Sequence, residues 1–338
     1  MPAEFEPIGG VIVSWSNNNP YYTFIINIVK HVSNVTEAYV VVDSDSAEDK
    51  ARYVLSLVEG LELDHVHFIH ADYNTIWHRN YGAFGIITPD GKLAFLDAHS
   101  SRTRRKKDDD MPKAVAKYFG AELYEWPLLQ DGGNTMTDGN GTFFHTTKIY
   151  EWNSPGWGSD FPPLSKEKIH DVIAQYTGHD HHIVLPYQSQ PYDGTGHLNM
   201  FAKLVTPKKI LVCRCPEGGY NHKVLEEAYG ILKNATNAHG EKFQVIPIPV
   251  ETNNRRHDLQ YANSLIVNGQ RGKIVLAPIY GISSDDTAME IYRTHMPDYE
   301  IIGINAAEMI RRNGTVNCVT KTIPLINPMI TIETWEPY

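Results

Sequence analysis

Three cysteines are the strongest candidate nucleophiles of this sequence. Cys213, Cys215 and Cys318 form an odd set in a chain of 338 residues, a poor basis for a disulfide framework, so we expect free thiols. Cys318 lies in NGTVNCVTKTIP, where a glycine-containing turn leads into a strand-like run. A thiolate beside a loop is placed for nucleophilic attack, although a lone cysteine in a β run is more often a small buried hydrophobe.

An imidazole and a carboxylate are the next candidates, and each stands among glycines. His197 follows two of them in DGTGHLNMFAK, where the backbone can approach a ligand closely. It could act as general acid and base near neutral pH, or it could simply bond a backbone carbonyl. Asp131 opens DGGNTMTDGNG, where a tight turn would aim its carboxylate; the plain alternative is a turn-capping aspartate.

Other polar clusters give weaker signals. His179, His181 and His182 in GHDHHIV are adjacent or alternate residues, which seldom converge on one metal ion, so we predict a solvated loop and no metal site. The run RTRRKKDDD alternates in charge and is predicted to be an exposed loop. The sequence contains no phosphate-binding loop.

Composition limits the classes of partner. The chain is 42% hydrophobic and 21% charged, as in an ordinary globular protein of one large domain or two intimate ones. A net charge of −10 disfavours nucleic acid and anionic membranes and leaves a small or cationic partner. No apolar run approaches the roughly 18 to 20 residues of a membrane span, and no leader-like segment precedes MPAEFEP, so the cytoplasm is the expected compartment.

The elements that must position these side chains alternate along the chain. Short β-branched runs indicate strands in GGVIVSW, AYVVVDS, HVHFIH, KLAFLD, KILVCRC, FQVIPIPV, KIVLAPIY and EIIGIN. Apolar residues at helical spacing indicate helices in YYTFIINIVKHVSN, SAEDKARYVLSLVEG, MPKAVAKYFG, KEKIHDVIAQYTG, HKVLEEAYGILKNATNAHG and DDTAMEIYRTHMP. The class is α/β or α+β with repeated units, and its long polar loops are predicted to carry function.

Six segments in order resemble the agmatine deiminase and bacterial peptidylarginine deiminase family. They are MPAEFEP, WHRNYG, DGGNTMTDGNGT, DGTGHLNMFAK, YANSLIVN with VLAPIYGISSDDTAMEIY, and NGTVNCVTKTIP. The resemblance covers nearly the whole chain. It implies one pentein domain over residues 1–338, an α/β propeller of pseudo-repeated ββαβ units around a central site.

The resemblance also implies a mechanism without metal or organic cofactor. Members of the family are cysteine hydrolases that act on a guanidino carbon and release ammonia. Cys318 would be the nucleophile that forms a covalent thiouronium-type intermediate, and His197 would protonate the leaving group and then activate water. Asn263 would line the pocket, Trp77 could stack on a planar head group, and many relatives self-associate, which allows for a homo-oligomer.

Two departures from the family's pattern fall on the residues that grip the substrate. Asn80 and Asn199 stand where the family has aspartates that hold the guanidinium, and Asn317 stands where relatives often carry histidine. A guanidinium offers only donors and therefore favours carboxylates, whereas an amide both donates and accepts. The hypothesis that follows is a neutral planar substrate group, such as a ureido group.

Two other interpretations remain open from the sequence. In the first, Asp131 is the single anionic anchor of a weak guanidine deiminase, acting on a small molecule or a peptide. In the second, the chain is a catalytically inactive relative that serves as a binding protein, although a site freed from catalysis has no need of both Cys318 and His197.

Overall fold

The computed structural model describes residues 1–17, 21–157, 162–188, 195–252 and 257–326. None of the helices in these ranges is long and apolar enough to cross a membrane. The α-helices span Tyr21–Val35 (α1), Asp45–Ser56 (α2), His78–Tyr81 (α3), Lys106–Asp109 (α4), Met111–Phe119 (α5), Lys148–Trp152 (α6), Lys166–Thr177 (α7), His222–Asn234 (α8) and Ser284–His295 (α9).

The strands are short and are shared among five small sheets. They span Ile8–Ser14 (β1), Glu37–Val42 (β2), Val66–His70 (β3), Phe84–Ile87 (β4), Leu93–His99 (β5), Glu122–Leu129 (β6), Met136–Thr137 (β7), Thr142–Thr146 (β8), His181–Leu185 (β9), Ala202–Thr206 (β10), Lys209–Arg214 (β11), Gln244–Thr252 (β12), Asp258–Gln260 (β13), Leu265–Asn268 (β14), Lys273–Ile279 (β15), Glu300–Asn305 (β16) and Thr320–Pro324 (β17).

The five sheets repeat one pattern. Each begins with an antiparallel pair and continues with a parallel neighbour: β4-β5-β6, β7-β8-β9, β10-β11-β12, β14-β15-β16 and β17-β1-β2. Strand β13 extends the third of these sheets and β3 extends the last. Parallel neighbours need a crossover, and helices supply it between each such pair. This is the predicted ββαβ unit, and it confirms the pentein-type α/β class.

The last strand closes the arrangement on the first. Strand β17 pairs antiparallel with β1, Thr320 lying opposite Val13, so the two ends of the described chain share one sheet. The central strands β1 and β2 are buried on both faces, as their continuous valine and isoleucine runs require. All eight predicted strands and all six predicted helices are confirmed within the described residues.

The charged run RTRRKKDDD is not simply an exposed loop. Its second half forms α4, and Asp108 is buried. The Asp108 carboxylate accepts hydrogen bonds from the backbone N–H groups of Asn74 and Thr75, at 2.6 and 3.1 Å, and from the Thr75 hydroxyl at 2.9 Å. The run therefore anchors the segment that leads into α3.

The prediction of a solvated loop at GHDHHIV is also wrong. His179 is buried, and His181 and His182 lie in β9. His182 meets two histidines that are distant in sequence, His145 on β8 and His170 on α7, with ring nitrogens within 4.8 Å of one another. The rings of His170 and His182 stack 4.0 Å apart at 10°. The nitrogen lone pairs of His170 and His182 lie in the planes of these two parallel rings, so in this arrangement they do not converge on a single metal position.

Burial of this histidine cluster should make the fold sensitive to acid. Burial lowers the pKa of His145 to about 4, while an unfolded histidine titrates near 6.5. Below about pH 6.5 the unfolded chain binds the proton more tightly, so the free energy of unfolding falls as pH falls toward 4. We expect His145→Gln to reduce the loss of stability between pH 7 and pH 5 by about 2 kcal/mol in urea unfolding.

The exposed His239 supplies the matched control for this experiment. His239→Gln removes one histidine without touching the cluster and should leave the difference between pH 7 and pH 5 as in the wild type. An equal effect of both variants would contradict the assignment of acid sensitivity to the buried ring.

Candidate active site

Each of the five sheets delivers a candidate residue in the segment that follows one of its edge strands, which are β3, β6, β9, β13 and β16. Most of the candidates lie within or directly before short helical turns: α3 after β3, Gly132–Asn134 after β6, Leu198–Met200 after β9 and Asn317–Val319 after β16. These turns pack on one another, α3 against the turns at 132–134 and 317–319, and the turn at 132–134 against that at 198–200. The candidates thus brought to the centre are Trp77, Asn80, Asp131, His197, Asn199, Asn263 and Cys318.

The Cys318 sulfur is surrounded by amide donors and a thioether. Asn263 Nδ2 donates to Cys318 Sγ at 3.3 Å, Asn199 Nδ2 lies at 3.7 Å, and Met200 Sδ lies at 3.8 Å. Cys318 is only 4% exposed. N–H groups directed at a sulfur stabilise its anionic form, which is the reactive one.

The orientation of Asn263 is fixed by a group that can only donate. The Thr315 backbone N–H and hydroxyl donate to Asn263 Oδ1 at 3.2 and 2.8 Å. Since the amide oxygen must face that N–H, its Nδ2 is turned toward Cys318. Asn263 therefore contacts the candidate nucleophile directly.

His197 is paired with a buried carboxylate. Its Nε2 lies 3.0 Å from Asp131 Oδ2, and the Trp152 ring packs edge-on against the imidazole with centroids 5.9 Å apart. Burial acts to raise the pKa of Asp131, but the hydrogen bond and charge of His197 and the hydrogen bonds of Ser101 outweigh it and hold that pKa below its ordinary value. An ionised partner of this kind fixes the orientation of an imidazole.

The Asp131 carboxylate has little capacity left for a ligand. Ser100 Oγ and the Ser101 backbone N–H donate to Oδ1 at 3.1 and 2.8 Å, and Ser101 Oγ donates to Oδ2 at 2.6 Å. Asp131 has no exposed surface. Its position next to His197, rather than free in the pocket, weighs against the interpretation as a substrate anchor.

Asn80 and Asn199 both hold an amide oxygen without a partner. Asn80 Oδ1 and Asn199 Oδ1 are buried and accept no hydrogen bond within the described part of the chain. A buried acceptor left unpaired costs about 1 to 3 kcal/mol, a cost that a bound donor removes. Asn80 and Asn199 therefore each offer an unpaired acceptor.

Trp77 and Cys318 lie on either side of Gly314. A Cβ atom at Gly314 would come within 2.5 Å of the Trp77 ring and 3.0 Å of Cys318 Cβ, so only glycine fits between them. The indole is thus close to the candidate nucleophile. The residues Asp193 and Gly194, which precede His197 in its motif, lie outside the described residues.

Glu4 is the residue that sequence reasoning missed. Its Oε1 accepts from Lys203 Nζ at 2.6 Å, and its Oε2 accepts from Asn317 Nδ2 at 2.9 Å and from Arg79 Nη2 at 3.3 Å. The only sequence signal was the position of this acid within the quoted segment MPAEFEP. Glu4 therefore contacts Asn317, the neighbour of Cys318.

A second glycine contact gives a test of the position of His197. A Cβ atom at Gly133 would lie 2.4 Å from His197 Nδ1. We expect Gly133→Ala to displace the imidazole from Asp131 and to lower the rate of any reaction that uses His197 by about 10²-fold, as misplacement of about 1 Å does. Steady-state kinetics together with thermal unfolding would measure this.

Gly230 on α8 is the matched control, because a Cβ atom there meets nothing within 4 Å. Gly230→Ala should leave the rate unchanged and slightly stabilise the helix. A Gly133→Ala variant with the wild-type rate would show that His197 is not needed at its position in the structure.

The sequence and the fold both resemble those of known deiminases. A Vibrio parahaemolyticus protein with the provisional name agmatine deiminase is 25% identical over 363 residues, 96% of this chain and 96% of that protein. The structure of an Enterococcus faecalis agmatine deiminase matches with a TM-score of 0.80 at 22% identity over 96% of this chain and 95% of the other.

A C. jejuni agmatine deiminase matches with a TM-score of 0.76 at 21% identity, over 96% of this chain and 95% of the other. At such identities the structural likeness shows the fold alone. Residues 1–324 match the family model of the Porphyromonas-type peptidyl-arginine deiminases. The match spans all five sheets and every candidate site residue, and the chain therefore belongs to the Porphyromonas-type peptidyl-arginine deiminase family.

Proposed function

We propose that this protein is a cysteine-dependent hydrolase that releases ammonia from a planar carbon–nitrogen head group, and that this group is neutral and of the ureido type. One observation carries the choice of a neutral group. Two carboxylates contact the proposed site residues, and both are engaged, Asp131 by His197 and Glu4 by Lys203 and Arg79. With amides at positions 80 and 199, a guanidinium would find no uncommitted countercharge among these residues.

The reaction follows from the roles of two side chains. The Cys318 thiolate attacks the central carbon of the head group, and His197 gives a proton to the nitrogen that leaves as ammonia. A new carbon–sulfur bond replaces the broken carbon–nitrogen bond, giving an S-carbamoyl cysteine from a ureido group. His197, now neutral, removes a proton from water as the water oxygen attacks the same carbon. The carbon–sulfur bond breaks, which releases the thiolate and a carbamic acid and leaves His197 protonated again.

A guanidine deiminase is the second candidate, favoured by the family to which the chain belongs. The unpaired oxygens of Asn80 and Asn199 would accept from guanidinium N–H groups, though without charge assistance. The same two half-reactions would then pass through a thiouronium and yield a ureido product. The two candidates differ in the charge of the head group and share the nucleophile.

Ammonia release separates the two candidates. The purified protein is assayed with agmatine, arginine, an arginine peptide, citrulline and N-carbamoylputrescine, with a protein-free reaction as the blank and Cys318→Ala as the control variant. Turnover of a ureido compound in preference to the guanidines supports the proposal. Turnover of a guanidine with an efficiency ordinary for enzymes, a kcat/KM of about 10⁴ M⁻¹s⁻¹ or more, would overturn the neutral head group.

Thiol labelling tests the further possibility of an inactive binding protein. Burial raises the pKa of Cys213 to about 12 and also raises that of Cys215, so both are unreactive thiols at neutral pH. If Cys318 is the nucleophile, limiting iodoacetamide labels it before either of the others, as peptide mass spectrometry would show. Labelling of all three at the same rate would favour the inactive relative.

A further inference from the structure

A chain of hydrogen bonds runs from the N-terminal segment to one of the two unusual asparagines. Asn317 Nδ2 donates to Glu4 Oε2 at 2.9 Å, and Asn199 Nδ2 donates to Asn317 Oδ1 at 2.8 Å. Asn199 and Asn317 are buried, and Glu4 is largely so. These hydrogen bonds therefore join three side chains that are shielded from competing water.

The direction of these bonds is set at the Glu4 end. An ionised carboxylate can only accept, and burial, which would raise the pKa of Glu4, is outweighed by the charges of Lys203 and Arg79, which hold that pKa below its ordinary value. Asn317 must therefore turn its NH₂ group toward Glu4. Its oxygen then faces Asn199, which must present its own NH₂ group in return.

This direction of the hydrogen bonds leaves the Asn199 oxygen without a partner among the described residues. We infer that Glu4, acting through Asn317, holds the Asn199 amide so that its carbonyl oxygen is kept for the substrate, and position 199 accepts hydrogen bonds but does not donate them to the ligand. Glu4 is thus a positioning residue that determines specificity. The inference deepens the proposed function, on which it rests for the assumption that position 199 contacts the substrate.

The ligand class follows from this polarity. The buried, unpaired Asn199 Oδ1 requires an N–H donor, while the Asn199 NH₂ group is already committed to Asn317 and faces the Cys318 sulfur. A planar head group must therefore present an N–H edge, not its carbonyl oxygen, at this position. A ureido NH₂ group satisfies the requirement without bringing a charge.

A double-mutant cycle between positions 4 and 199 tests the polarity without needing turnover. In Asn199→Asp, a carboxylate oxygen faces the Asn317 oxygen, which cannot turn away while Glu4 holds the NH₂ group. Adding Glu4→Gln supplies a donor for the Asn317 oxygen, so Asn317 can reverse and donate to the new carboxylate. We expect the double variant to unfold with an equilibrium constant at least about tenfold more favourable to the folded state than the two single effects predict.

Asn80 gives the matched control cycle. Asn80→Asp combined with Glu4→Gln also removes a negative charge at position 4 and adds one at a site residue. Asn80, however, is outside the series of hydrogen bonds from Glu4 to Asn199. A purely Coulombic coupling between the charge removed at position 4 and the charge added therefore appears in both cycles. Both cycles also include the loss of the carboxylate partner of Lys203 and Arg79. A larger coupling in the 199 cycle supports the inference, and equal couplings would overturn it.

A second measurement on the wild-type protein serves if the variants do not fold. Urea and acetone have the same planar Y shape and a carbonyl oxygen, but only urea carries N–H groups. Urea well below denaturing concentrations should slow iodoacetamide labelling of Cys318 in a saturable way, and acetone should not. Equal protection of Cys318 by both compounds, or protection by neither, would overturn the inference. The proposed reaction is tested separately, by ammonia release.

Discussion

Replacing Cys318 by alanine is expected to reduce ammonia release by about 10⁴-fold or more, to the level of the blank, on whichever compound the wild-type protein turns over. The reason is that the thiolate forms the only covalent bond to the substrate in the proposed reaction, and none of the groups around it can take over this role. Asn263, Asn199 and Met200 supply only amide donors and a thioether to the sulfur. The assay is steady-state ammonia release at saturating substrate.

Cys215→Ala is the matched control for this result. Cys215 is 8% exposed, a burial comparable to that of Cys318, but its sulfur contacts none of the candidate site residues in the described hydrogen bonds. That variant should retain turnover. A Cys318→Ala protein that still releases ammonia above the blank would rule out the covalent mechanism while leaving the fold untouched.

Introducing a carboxylate at position 80 is expected to shift preference toward guanidines. A buried carboxylate and a guanidinium form charge-assisted bonds, and truncation of such pairs costs about 2 to 5 kcal/mol. At the lower end, Asn80→Asp should raise the ratio of kcat/KM for agmatine to that for N-carbamoylputrescine about 30-fold. Position 80 is chosen because an aspartate at 199 would face the Asn317 oxygen.

The control for this change adds the same charge far from the site. Asn140 is exposed, so Asn140→Asp alters the net charge equally without adding a buried partner for the substrate. It should leave the ratio unchanged. An Asn80→Asp variant with the wild-type ratio would show that position 80 does not contact the head group.

Sequence patterns predicted the main elements because those elements are stabilised locally. The buried run at β1, the valines of β2 and the amphipathic spacing of α7 each match one kind of structure, and α7 ends at Gly178, whose φ of 76° favours glycine. Short strands such as β7 and β13, with two and three residues, carry too little pattern to be recognised. Their formation depends on pairing with distant strands.

The histidines show where pattern reasoning fails. His145, His170 and His182 come from two strands and a helix, and nothing in their spacing along the chain indicates that their rings meet. In the same way, the charge pattern around Asp108 predicts an exposed loop, yet its carboxylate accepts hydrogen bonds from the backbone N–H groups of Asn74 and Thr75. Contacts of this kind are set by packing between elements, which periodicity along one element does not record.

The sequence by itself determined the residue types of the site and the family that they resemble: a cysteine, a histidine beside glycines, and asparagines at positions 80 and 199. Only the tertiary structure decided what each of these side chains contacts. It pairs His197 with Asp131 and connects Asn199 through Asn317 to Glu4. The physical reason is that hydrogen-bond direction depends on the partner, and these partners lie 66, 118 and 313 residues apart along the chain.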